Sequence, residues 1–375
     1  MKSAFLIFII CFLIYAYVSP GETSYDYFTR LSDAFLHGRL YLEENLPWLN
    51  ELIPLDGKYF VVYPPMPAIM LIPFTLLGHN ISQTLFSTLL GAINVVLIYI
   101  LMRRLQISQK TSFLMTFLFG FGTNHWYLAS IGSAWYFAHI VAVFFLLLAL
   151  IEIFGKRRYF LIGLLIGASF WSRSPIIFSL PFFLIIYRNN FKNSLLLGSG
   201  LGVFILLDLA YNFLRFNEIS PLAPYNLISN ITNDPVFKDG FMNVKFIPRH
   251  LDAIFLRLPY LTDKFPYLVP SLYAMALWFT TPALVYVFKV KFRRIIVACW
   301  SAIIPTLSII FFWAGVGYSQ FGYRFIQDVM PFLVILTAFG IGQKPSKLAW
   351  VLVLLSVLVN IWGIIFINKL DLYVI

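Results

Sequence analysis

Long apolar runs alternate with short polar connections along almost the whole chain. Read as helices, they predict membrane spans at 3–19, 83–102, 111–124, 131–154, 159–172, 174–187, 194–214, 271–289, 295–316, 326–342 and 347–368. Several fall short of the roughly 20 residues that cross a bilayer and must borrow flanking residues. The stretch PMPAIMLIPFTLLGH at 65–79 is apolar but short, holds Pro65, Pro67 and Pro73, and has no basic flank. An apolar run after Lys2 also suits a signal peptide, but no small-x-small cleavage site precedes Pro20, so it is read as a retained first span. The expectation is an all-α polytopic membrane protein, a single domain over 1–375, with about eleven transmembrane helices. Two longer polar stretches, about 20–82 and about 215–270, interrupt the pattern.

Basic residues decide how these spans thread. Arg103/Arg104/Lys110, Lys156/Arg157/Arg158, Arg188/Lys192, Lys289/Lys291/Arg293/Arg294 and Lys344/Lys347 each sit in a short connection, as cytoplasmic loops do. Counting 65–79 as a span would put Arg103 and Arg104 beside the first long polar stretch and invert every later cluster. Leaving it as an interfacial or re-entrant helix puts every cluster, and Lys2, on one side. The N-terminus is then inside, the C-terminus outside, and both long polar stretches outside.

The acids sort with them. Glu22, Asp26, Asp33, Glu43, Glu44, Glu51 and Asp56 lie in the first outside stretch. Glu218, Asp234, Asp239, Asp252 and Asp263 lie in the second, and only Glu152 adjoins an inside cluster. Polar chemistry is therefore expected outside. No phosphate-cradling glycine loop followed by Lys-Ser/Thr occurs, which argues against a cytosolic nucleotide-using enzyme.

Composition changes the picture little. Hydrophobic residues make up 60% and charged ones 11%, which fits a polytopic membrane protein. The formal charge of +11 invites a nucleic-acid reading, but the cations sit in inside connections, so no nucleic-acid partner is expected. Cys11 and Cys299 both fall in apolar segments and indicate neither a disulfide framework nor a metal site.

In the first outside stretch, Thr23 and Asp26 fit a weak capping box, and Gly38 suits the end of the helix that follows. Asp26, Arg30, Asp33 and His37 then form one helical stripe, with Phe28, Leu31 and Phe35 opposite. That describes an amphipathic helix lying on the membrane surface, apolar face down. Asp26 also suits a plain role as a cap paired with Arg30. Asp56-Gly57 marks a turn, and Trp48, Tyr59 and Tyr63 suit an interface. Among the other positions, Trp135 and His139 share a helix face at the outside end of a span. Arg173 is an unpaired cation at another outside end, and Arg324 with Asp328 are one helical turn apart at a third. Charges at such depth tend to face a cavity, a partner or a substrate. Arg249, His250, Arg257 and Lys264 lie on or near the amphipathic segment RHLDAIFLRLPYL and suit lipid phosphates or simple anchoring.

The order of parts resembles the GT-C superfamily of integral-membrane glycosyltransferases, which includes protein O-mannosyltransferases and the bacterial enzymes that add aminoarabinose to lipid A. The likeness lies in one span followed by an acidic loop starting ETSY, running into LSDAFLHGR, then DGKYFVVYPPMPAIMLIPF. SFWSRSPIIFSLPF, FTTPAL and GYRFIQDVMPF resemble segments of bacterial members, and the likeness runs loosely over most of the chain.

It implies inverting transfer of a sugar from a polyprenyl-phosphate-linked donor to a lipid, glycan or protein acceptor. The reaction would run on the non-cytoplasmic face of a prokaryotic plasma membrane. On this reading Asp26 is the base, with Glu22 its competitor because the family's acid falls there. Arg30, Lys58, Tyr63, His139, Arg173, Arg249, Arg257 and Arg324 are the donor- and phosphate-binding candidates, supported by Asp33, His37 and Asp328. Some family members use a divalent cation (Mg, Mn or Ca); the family's frequent adjacent acid pair or Asp-x-Asp is absent here, which leaves metal use open. The competing class is a transporter or lipid flippase, which would carry mid-span polar residues and internal repeats. Asp208 is the main mid-span charge, and no repeat stands out.

Overall fold

The structure is a computed structural model that describes residues 2–78, 82–186, 190–228 and 235–374. It is mostly helical, with few strands. Helix α1 (Lys2–Val18) leads to α2 (Tyr27–Leu36), an antiparallel hairpin of β1 (Leu52–Leu55) and β2 (Lys58–Val61), and α3 (Met66–Thr75). Next come α4 (Gln83–Arg104), α5 (Gln109–Phe121), α6 (His125–Ile131), α7 (Ala134–Ile153), α8 (Tyr159–Phe170), α9 (Leu180–Ile186) and α10 (Phe191–Phe216). After an irregular stretch follow α11 (Ile247–Leu251), a small hairpin of β3 (Tyr260–Leu261) and β4 (Leu268–Val269), and α12 (Leu277–Thr280). Helices α13 (Arg294–Phe311), α14 (Met330–Ile341) and α15 (Lys347–Asn368) close the chain.

Among the described residues, five helices, α4, α7, α10, α13 and α15, are long and apolar enough to cross a bilayer. Helix α7 is apolar on every side, and most of it is buried inside the protein, as a central helix should be. By contrast α15, equally apolar, and α10, less so, are mostly uncovered by protein, which leaves lipid to cover their apolar faces. Helix α8 has only 12 residues. At 1.5 Å per residue it reaches about 18 Å, short of a ~30 Å hydrocarbon core. Its contact with α10 is unusually close. A Cβ on Gly163 would sit 2.0 Å from the Leu197 carbonyl oxygen, and one on Gly200 2.2 Å from that of Phe160. Only glycine fits at either point.

The two ends of α15 each meet another loop. At its start, Thr111 Oγ1 donates to the Gly342 carbonyl at 2.7 Å, and Gln343 Nε2 to that of Gln106 at 3.1 Å. At its finish, Asn368 Nδ2 donates to the Val18 carbonyl at 3.2 Å, and Lys369 Nζ to that of Ser19 at 3.0 Å.

The first long polar stretch differs from expectation in two respects. The capping box does not form: Thr23 Oγ1 accepts from the Tyr25 N–H at 3.1 Å, and Asp26, at the N-cap, makes no side-chain cap bond. Nor is the buried face of α2 left for lipid. Phe28 and Leu31 are fully buried against protein, with the Phe28 ring beside Tyr63 and Phe137 and its N–H donating to Gln83 Oε1 at 3.1 Å. Burying two such side chains stabilises the docking of α2 by about 1.5–3 kcal/mol each. The turn at Asp56-Gly57 is present, both residues having positive φ (50° and 73°) as a two-residue hairpin turn requires. The strands it joins pack Ile53, Phe60 and Val62 around Ile228 in a second small core.

Candidate functional site

Helix ends and the two long polar stretches enclose a cavity of about 960 Å³. The first stretch contributes Glu51 and Tyr63, the start of α7 Trp135, and the segment after α8 Arg173. The end of α10 brings Asp208, Tyr211 and Arg215; the second stretch brings Tyr225, Arg249 and Arg257. Trp313 and Arg324, beyond α13, complete the wall. Several guanidinium groups thus share one water-accessible space with two carboxylates.

Arg173 is held from behind. Its Nη2 donates to Asp328 Oδ2 at 3.0 Å, and the other Asp328 oxygen lies 2.6 Å from His139 Nδ1. Asp328 and His139 are fully buried, whereas Arg173 keeps part of its side chain exposed over the Phe325 ring. The helical repeat accounts for this layering: Trp135 and His139 are one turn apart on α7, so Trp135 meets the cavity and His139 the layer beneath. Arg324 is fixed by its own N–H to Gln320 Oε1 at 3.0 Å and by Nη1 to the Tyr318 carbonyl at 3.3 Å. The rings of Tyr136 and Phe325 flank it.

Glu51 sits in the turn ahead of β1. Its N–H donates to the Tyr27 hydroxyl at 3.0 Å, and its Oε2 accepts from Trp135 Nε1 at 3.1 Å. Burial pushes the Glu51 carboxyl above the ordinary carboxylate range, while the Trp135 hydrogen bond and the Arg324 charge pull it back. The second carboxylate, Asp208, accepts from Trp171 Nε1 at 3.1 Å. Two turns on, Arg215 is buried and stacks on the Tyr211 ring at 3.7 Å. Arg215 Nη1 donates to the Val61 carbonyl at 2.7 Å, which ties the first hairpin to the end of α10.

In the second stretch, Arg249 Nη1 donates to the Ala314 carbonyl at 3.1 Å, and Arg257 Nε to Asp252 Oδ2 at 2.6 Å. His250, fully buried, lies 2.7 Å from the Tyr323 hydroxyl and 2.8 Å from the Trp313 carbonyl. Burial lowers its pKa to about 4, against the Trp313 hydrogen bond, and the Arg249 charge adds to the fall; the ring is neutral at pH 7. Four polar atoms of wall residues, Tyr63 OH, Tyr211 OH, Arg173 Nε and Arg324 Nε, have no hydrogen-bond partner among the described residues.

Of the residues singled out in the sequence, Tyr63, Arg173, Arg249, Arg257 and Arg324 share this cavity. His139 and Asp328 do not touch it; they back Arg173 from the layer beneath. Glu22, Asp26, Arg30, Asp33, His37 and Lys58 lie off its wall. Glu22 is exposed, Asp26 pairs with Arg30 at 2.9 Å, and His37 stands 3.6 Å from Asp33. Lys58 covers the Tyr41 ring at the hairpin turn. Sequence reasoning named Glu51 only as one of the acids of the first long polar stretch and Trp135 only as sharing a helix face with His139, and it passed over Arg215. Asp208 carried a signal of its own, as a charge inside an apolar run. Among the described residues, no three His, Cys, Asp or Glu side chains form a group that could hold a metal ion.

No protein-family model matches the sequence, and no curated protein matches it either. Among solved structures, the fold is similar to that of the Archaeoglobus fulgidus oligosaccharyltransferase in its apo form. The TM-score is 0.51 and the identity 13%, over 98% of this chain and 56% of that one. This chain therefore spans little more than half the length of that protein. At such identity the likeness is one of fold: a mostly helical architecture with apolar helices long enough to cross a membrane.

Proposed function

We propose that this protein is a membrane glycosyltransferase that moves a sugar from a polyprenyl-phosphate-linked donor to a lipid, glycan or protein acceptor, with inversion. The observation that carries the reading is the cavity wall, where Arg173, Arg249, Arg257 and Arg324 face the same space as carboxylates. A departing lipid phosphate needs fixed positive charge, and guanidinium groups supply it with directed N–H donors. An acceptor hydroxyl needs a base within hydrogen-bond reach, and a carboxylate serves. The acceptor oxygen then attacks the anomeric carbon while the phosphate leaves from the opposite face. Tyr63, with its unpartnered hydroxyl, is a further donor to the sugar or the phosphate.

The fold shared with an oligosaccharyltransferase supports this class of chemistry. The reading includes an eleven-span topology with the reaction on the outside of a prokaryotic plasma membrane. Two contacts support that topology. Gly342 and Gln343 meet Gln106 and Thr111, joining connections read as inside, and Asn368 and Lys369 meet Val18 and Ser19, read as outside.

The test uses the purified full-length protein in lipid nanodiscs, given long-chain polyprenyl phosphates carrying radiolabelled hexose or pentose with membrane lipid extract as acceptor. The reading expects transfer of label and release of polyprenyl phosphate, both lost in Arg173→Ala and Arg324→Ala. Intact donor after incubation of the wild type with every sugar of the panel would overturn it.

A further inference from the structure

Among the acids of the first outside stretch, Glu51 alone lines the cavity. Its backbone is tied to α2 through Tyr27 and its side chain to α7 through Trp135. Trp135 is itself wedged against the rings of Tyr25 and Tyr27, with centroids 4.7 and 6.3 Å away. One carboxylate oxygen, Oε2, is thereby occupied; the other, Oε1, takes no hydrogen bond from any described residue. Arg324 stands near enough for its charge to act on the Glu51 carboxylate, so acid and cation share one corner.

From this geometry we infer that Glu51 is the catalytic base of the transfer, an inference that rests on the glycosyltransferase reading. Glu51 Oε1 takes the proton of the acceptor hydroxyl. The acceptor oxygen bonds to the anomeric carbon as the bond from that carbon to the phosphate oxygen breaks. The electron pair leaves on the phosphate, facing Arg173 and Arg324, and the proton stays on Glu51 until water removes it. A half-buried carboxyl with a raised pKa is a stronger base than an exposed one. Glu22 and Asp26 lack this setting, the first exposed and the second engaged by Arg30.

The experiment measures kcat, donor KM and pH profile for the full-length wild type, Glu51→Gln, Glu51→Asp, Glu22→Gln and Asp26→Asn, with exposed Glu44→Gln as control. Size-exclusion profiles and the amount of copurified polyprenyl lipid report folding and donor binding separately. Glu51→Gln is expected to lose about 10²- to 10⁴-fold in kcat with donor KM little changed, and to lose the acidic limb of the profile. Glu51→Asp recovers part of the rate. A Glu51→Gln enzyme with normal kcat and limb, alongside an inactive Glu22→Gln or Asp26→Asn, overturns the assignment but leaves the glycosyltransferase reading standing. A wild type that transfers no sugar overturns both.

Discussion

Asp328 Oδ2 meets Arg173 Nη2 at 3.0 Å, with Asp328 fully buried and Arg173 partly open to the cavity. A buried carboxylate is costly unless its charge is compensated and its lone pairs are used. Here His139 takes the second oxygen at 2.6 Å. The Asp328 charge therefore fixes Arg173 from behind and leaves its outer edge for an anion. Asp328→Asn is expected to raise the donor KM about tenfold while kcat changes less, because it loosens a positioning contact and removes no reacting group. Asp328→Ala leaves Arg173 and His139 unpaired and destabilises the fold by about 3–5 kcal/mol. Thermal unfolding in detergent, run beside the kinetics, separates the two effects.

Arg215 latches the first hairpin. Besides the Val61 carbonyl, it donates to Asn212 Oδ1 at 2.8 Å, so Arg215→Ala strands two acceptors at about 1–3 kcal/mol each. Faster proteolytic cleavage of the hairpin at 52–61 is the expected result, with lower transfer because Glu51 and Tyr63 flank that hairpin. Unchanged cleavage would show that the second small core holds the hairpin without Arg215.

The threading can be checked without activity. Gly57→Cys and Arg157→Cys, in intact cells treated with an impermeant maleimide, should label at 57 and not at 157. Equal labelling contradicts the eleven-span arrangement.

The pH dependence follows from Glu51. Burial raises its carboxyl above the ordinary 4.5, so the carboxylate forms only at correspondingly higher pH. Transfer should therefore rise as pH climbs through that raised value, and Glu51→Gln should flatten the rise. His250, lowered to about 4, is already neutral there and adds no limb of its own. A profile flat on the acid side in the wild type contradicts Glu51 as base.

Much of the fold was legible because the signals were coarse. Runs of apolar residues gave α4, α7, α10, α13 and α15 within a few residues, since a long apolar helix has little alternative in lipid. Where the chain breaks between α6 and α7, the cause is local: Gly132 takes positive φ and Ser133 is extended, which an apolar run conceals. For α2 the spacing gave the apolar face but not what covers it, because Phe28 and Leu31 would look the same against lipid or against Tyr63 and Phe137. Arg173 and Arg324 were legible as charges at the ends of apolar runs, and Arg249 and Arg257 on an amphipathic segment; Arg215, at the end of the long apolar run of α10, was not. Glu51 was legible only as one acid among seven in its stretch, since it lies in a turn without periodicity and becomes distinctive only when α7 brings Trp135 to it.

Sugar transfer by the purified protein remains the most direct measurement. With a radiolabelled polyprenyl-phosphate sugar in nanodiscs, the account predicts labelled acceptor and free polyprenyl phosphate in equal amounts, abolished in Arg173→Ala and Arg324→Ala. Donor lipid that crosses the bilayer with its sugar still attached would contradict it and favour a flippase.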